Sequence, residues 1–134
     1  MSYTGFWIGT TALLLCLLTD TAAGEDVCTI VRGAVIVGQD GPNTFLGKIT
    51  NAFDGESIFD ESGTYGNPFS SSSIWNEFSS FGNQFNTYSP FNQFSSSPPM
   101  IIKDRKIIGY LTANKSIKSS ISPHLLKALC KDEL

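Results

Sequence analysis

At 134 residues the chain is long enough for one small domain. Nine Lys and Arg against 12 Asp and Glu leave it at −3, which excludes the electrostatic drive behind nucleic-acid or anionic-membrane binding. The charges are segregated: residues 51–98 hold five acids and no Lys or Arg (−5), whereas residues 99–131 hold seven bases and one acid, Asp104 (+6). Such polarity lets a chain pair with itself across its fold, or it leaves two solvated faces.

Residues 6–18, FWIGTTALLLCLL, form an uncharged apolar run too short to span a bilayer and suited to a signal-peptide core. Small residues follow at Thr21, Ala22, Ala23 and Gly24. Cleavage after Ala23 is therefore expected, leaving residues 24–134 as a single small exported domain without stable membrane insertion. No Lys or Arg precedes the run, so an uncleaved anchor or a buried N-terminal helix is the competing reading. Cys16 invites a lipoprotein reading, but Leu15 is bulky where acylation signals want a small residue. Export places Cys28 and Cys130 in an oxidising compartment, where a bond between them would close a loop of about 100 residues. By chain entropy that is worth roughly 4 kcal/mol before strain. Free buried thiols or an intermolecular bond are the alternatives.

Residues 34–50 and 100–113 each read as a β-hairpin: an apolar run, a polar turn (Asp40-Gly41-Pro42-Asn43 and Lys103-Asp104-Arg105-Lys106), then a second run. The second runs resemble each other, FLGKITN against IIGYLTAN. Between the hairpins the chain repeats in sixteens: NAFDGESIFDESGTYG (51–66), NPFSSSSIWNEFSSFG (67–82) and NQFNTYSPFNQFSSSP (83–98). Asn recurs at position 1, Phe at 3, Ser at 7, an aromatic at 9 and Asp or Asn at 10. Each copy is expected to fold as turns pinned by the aromatics at positions 3 and 9, both tucked against the hairpin sheet. A disordered Ser/Asn/aromatic segment is the alternative. NKSIKSSI (114–121) reads as a degraded fourth copy, with Ser120 and Ile121 in the places of Ser57 and Ile58. Residues 122–131 read as a short helix capped by Ser122 and Pro123, with Leu125, Leu126 and Leu129 on one face and Cys130 turned to the core. The expected fold class is mainly β: a small antiparallel sheet from two related hairpins, covered by three 16-residue turn-rich repeats, plus a C-terminal helix.

The segments LGKIT, SIFDESGTYGN, SIWNE, YSPFN, PPMII, IIGYLT and LLKALC together resemble a group of small uncharacterised exported bacterial proteins. Their hallmark is tandem Asn-x-aromatic, Ser-Ile-aromatic-Asn and Tyr-Gly segments. The resemblance covers about residues 28–130. It implies a periplasmic or extracellular setting and carries no activity with it.

Lys131-Asp132-Glu133-Leu134 matches the tetrapeptide that recycles proteins to the endoplasmic reticulum, which in a eukaryotic host would make this a lumenal resident. Asp54, Glu56 and Asp60 offer closely spaced carboxylates to Ca²⁺, although their spacing is not that of an EF-hand and the acids do not recur in the later copies. Trp75, Tyr65 and Phe81 are candidates for stacking on a glycan; the competing reading makes the aromatics a core. His124, the only histidine, reads as a surface helix residue. Asn114-Lys115-Ser116 is an N-glycosylation sequon where the host glycosylates. The expectation is a non-enzymatic structural or interaction protein binding an unknown protein or glycan, with a carbohydrate- or calcium-binding module as the alternative.

Overall fold

The computed structural model describes residues 26–134; the expected signal-peptide run and Cys16 lie outside them. The compact body is Val31–Leu134, preceded in sequence by the short helix α1, Asp26–Val31. Among the described residues no helix is long and apolar enough to cross a membrane.

Five short strands make one sheet: β1 Val35–Val37, β2 Phe45–Lys48, β3 Met100–Lys103, β4 Lys106–Leu111 and β5 Ser120–Ile121, in the order β2-β1-β3-β4-β5. β1 and β2 pair antiparallel (Val35 opposite Lys48), as do β3 and β4 (Met100 opposite Tyr110). The hairpins meet through an antiparallel β1–β3 pairing that sets Ile36 opposite Ile101. The apolar runs VIV and MII, rich in β-branched Val and Ile, suit the pleated surface, and Ile36, Leu46, Ile101 and Leu111 turn their side chains into the core.

The sheet is mixed, not purely antiparallel as the two hairpins alone suggest. β5 runs parallel to β4, with Tyr110 opposite Ser120 and Leu111 opposite Ile121. A similar contact occurs at the other hairpin: Ser57 makes an isolated parallel bridge to Lys48, and the Ile58 N–H donates to the Lys48 carbonyl at 3.0 Å. Each hairpin therefore carries a Ser-Ile pair alongside its second strand.

Between the hairpins the backbone turns every three residues. The N–H of Asp54, Ser57, Asp60 and Gly63 each donates to the carbonyl three residues before it. The same series runs through Ser70, Ser73, Asn76 and Ser79, and through Asn86, Ser89, Asn92 and Ser95. One longer step, Asn67 to Gly63 and Asn83 to Ser79, separates the series. Side chains reinforce the turns: Asn, Asp or Ser at a turn's first position accepts from the N–H two residues on, as Asn51 does from Phe53 and Ser73 from Trp75. These residues form such turns because a short side-chain oxygen reaches that amide without strain. Others reach across the coil: the amides of Asn76 and Asn92 donate to the carbonyls of Ser70 and Asn86, six residues back. Gly82 permits this close winding, since a Cβ there would sit 1.7 Å from the Asn76 carbonyl oxygen.

The core beneath is built from Ile58, Phe59, Ile74 and Pro90 with the sheet residues and Ile49. Ser57, Ser73 and Ser89 are fully buried beside them, their hydroxyls bonded to backbone. The expectation that position-3 phenylalanines tuck inward is corrected. Phe53, Phe69 and Phe85 point to solvent, while position 9 is buried as Phe59 and half-buried as Trp75 and Phe91. The reason is geometric: position 3 is the corner of an Asn-led turn, whereas position 8 faces the sheet and fills the available volume.

Helix α2, Pro123–Cys130, is capped by Ser122, whose hydroxyl accepts from the Leu125 N–H. Pro123, Leu126 and Cys130 are its buried residues, while Leu125 and Leu129 are exposed, so the inward stripe is narrower than three leucines. Cys28 and Cys130 are joined in a disulfide.

Candidate functional site

A groove of about 550 Å³ opens where the second and third turn segments meet α2. Ile74, Trp75 and Phe91 belong to its lining, Phe78 and Phe85 are its exposed rings, and Glu77, Asn83, Gln84 and His124 supply polar groups. Its volume is within the range of small-molecule sites.

The turn lattice fixes the rings. All four aromatic groove residues of the turn segments occupy the third place of a turn, with the N–H held by the side chain two residues before. Trp75 donates to Ser73 Oγ (3.1 Å), Phe78 to Asn76 Oδ1 (3.0 Å), Phe85 to Asn83 Oδ1 (2.9 Å) and Phe91 to Ser89 Oγ (3.1 Å). The backbone under each ring is therefore set before any ligand arrives, which lowers the ordering cost of binding.

Trp75 is the most constrained ring. Its Nε1 donates to the Ile58 carbonyl at 2.6 Å, and its ring meets Phe91 at 5.8 Å between centroids, tilted by 60°. The Lys127 ammonium from α2 lies 4.4 Å from its centroid, a cation–π contact. Phe91 in turn packs against the His124 imidazole at 5.0 Å. Phe78 and Phe85 have no such partners among the described residues and stand in solvent, so they are the available faces.

Of the three residues expected to stack, only Trp75 lies in the groove. Tyr65 packs edge-on against Phe45 of β2 at 5.1 Å, and Phe81 lies against Gly38 beside β1. Phe78, Phe85 and Phe91 were missed. The signal that could have found them is the three-residue spacing in NEF (76–78) and NQFNTYSPFNQF (83–94), where Asn or Ser precedes each aromatic by two.

The carboxylates expected to hold calcium do not converge. Asp54 Oδ1 accepts from the Glu56 N–H, Glu56 pairs with Lys48 at 3.0 Å, and Asp60 Oδ1 accepts from Ser62. Among the described residues no group of three or more His, Cys, Asp or Glu is placed to hold a metal ion. The C-terminal tetrapeptide is partly tied down: Lys131 Nζ bonds Glu61 at 2.6 Å, and Arg32 donates to the Glu133 carbonyl at 3.1 Å.

No family model, curated protein or solved structure matches the chain.

Proposed function

We propose that the chain is an exported interaction module, in which three tandem 16-residue turn segments cover the hairpin sheet and present phenylalanines to a macromolecular partner. The observation that carries this reading is that Phe53, Phe69, Phe78, Phe85 and Phe94 are each at least 83 % exposed. Burying a phenylalanine is worth about 1.5–3 kcal/mol, and small proteins seldom leave several such rings in water without a use for them. All five sit at the third place of an Asn-led turn, on a lattice held by side-chain hydrogen bonds. The disulfide and the N-terminal apolar run favour action in an oxidising compartment, the periplasm or extracellular space. The resemblance to exported bacterial proteins favours the same setting.

A photo-crosslinking amino acid placed at Phe53, Phe69 or Phe94 in the producing cell tests this. Each of the three is expected to give the same discrete adduct. The exposed apolar residues Ile107 and Leu125, on the hairpin and helix, are expected to give none. Adducts of equal yield from all five positions, or from none of the phenylalanines, would refute the reading.

A further inference from the structure

We infer that the groove between Phe78 and Phe85 is a site for a small organic cation carrying a trimethylammonium group, such as choline. Three observations converge on that chemistry. Trp75, Phe78, Phe85 and Phe91 line the groove, and aromatic faces carry partial negative charge that attracts quaternary ammonium groups. Its one carboxylate, Glu77, is exposed and has no hydrogen-bond or ion-pair partner among the described residues. Among the described residues no Lys or Arg lines the groove, and none occurs in residues 51–98. The same aromatic cluster already holds one ammonium of the chain itself, Lys127 on Trp75. Lys127 is not among the groove's lining residues, which leaves Phe78 and Phe85 open.

The polar complement argues for an alkylated cation over a sugar. A pyranose presents several hydroxyls that need directed partners, and of the groove's polar groups Asn83 Oδ1 is already committed to the Phe85 N–H. A quaternary ammonium makes no hydrogen bonds, so its desolvation leaves no donor unpaired and one carboxylate suffices to balance its charge.

This site uses Phe78 and Phe85, two of the five exposed rings of the macromolecular reading, and the test of that reading uses Phe53, Phe69 and Phe94, which do not line the groove, so the two can fail separately. The experiment is calorimetric titration of the full-length protein with choline chloride and with its neutral isostere 3,3-dimethylbutan-1-ol. Choline is expected to bind at least about tenfold more tightly than the alcohol. Glu77→Gln and Phe85→Ala, both at exposed positions, are each expected to weaken choline by about fivefold or more with an unchanged unfolding temperature. Phe69→Ala is expected to leave choline binding as it is. Equal affinity for choline and the alcohol would reduce the site to an apolar groove and overturn the proposal. So would tighter binding of a neutral oligosaccharide, the absence of choline binding, or loss of it in Phe69→Ala.

Discussion

The turn lattice depends on a few residues whose replacement has no room. At Gly82 a Cβ would overlap the Asn76 carbonyl oxygen, and that carbonyl is itself fixed as the acceptor for Ser79. Neither partner can yield without opening a turn. Gly82→Ala is expected to cost about 3 kcal/mol or more in urea unfolding, at the upper end for overpacking. Gly55, with nothing within 4 Å of its Cβ position, is the control: Gly55→Ala should stay within about 0.5 kcal/mol of the parent. Similar midpoints for the two variants would mean that the coil relaxes freely at Gly82. At this scale the three-residue period of the turns was hidden in the sequence. Ser, Asn and Asp are interchangeable as turn leaders, so the eye follows the aromatics instead. The direction of the rings was hidden too. Both positions 3 and 9 are aromatic, and only the winding of the coil decides that Phe59 goes in and Phe53 out.

Hairpins and helix were readable as elements because their signals are local. VIV and MII are apolar runs rich in β-branched residues and bounded by turn residues, and Ser122-Pro123 is a cap followed by a good first helical residue. β5 was not readable: two residues carry no alternation, and its pairing is to a strand already committed on its other edge. The groove was readable only at Trp75, because it is assembled from two turn segments and a helix separated by dozens of residues. The β3–β4 turn also holds an element-level weakness. Asp104 and Arg105 both take positive φ, 53° and 65°, the pattern of a two-residue turn that favours Asn-Gly or Asp-Gly. A left-handed non-glycine residue costs about 1–2 kcal/mol, so Arg105→Gly is expected to stabilise the fold by up to about 1 kcal/mol after the entropy glycine adds to the unfolded chain. Urea midpoints measure this, and a lower midpoint for the variant would contradict it. Leu126→Ala should cost about 2–5 kcal/mol and Leu125→Ala under 1, because only Leu126 is fully buried. Equal losses would mean that the helix presents a different face to the sheet.

At the scale of the whole molecule, the charge asymmetry read from the sequence closes, among the described residues, in one ion pair: Lys131 of the basic segment on Glu61 of the acidic one. The hydrogen bond from Lys131 and then its charge, with Lys127 adding a smaller pull, hold the Glu61 carboxyl below the usual range, and Glu61 raises Lys131 in return. Asp40 is lowered as well, by the hydroxyl and the N–H of Thr44. A group whose folded pKa lies below its unfolded value stabilises the fold at pH above the unfolded value and loses that contribution as pH falls through the folded one. Glu61 and Asp40 therefore act on the acid side, and stability should decline as pH drops below about 4. Lys131, shifted up, contributes fully below the ordinary lysine range and loses its contribution as pH rises past its folded value, above about 10.4. Urea midpoints should thus form a plateau between about pH 5 and pH 10 with a fall on each side. The double variant Asp40→Asn, Glu61→Gln should lower the plateau slightly and flatten its acid edge, and Lys131→Met should reduce the alkaline edge to the part that comes from Lys48, which its hydrogen bond to Glu56 also raises. Glu61 is exposed and Lys131 half-exposed, so added salt should shrink the Lys131 effect while leaving the Asp40 effect, which is a hydrogen bond within one turn, in place. An acid edge identical in the parent and the double variant would assign the pH dependence to other carboxylates and remove Glu61–Lys131 as the link between the two charged halves.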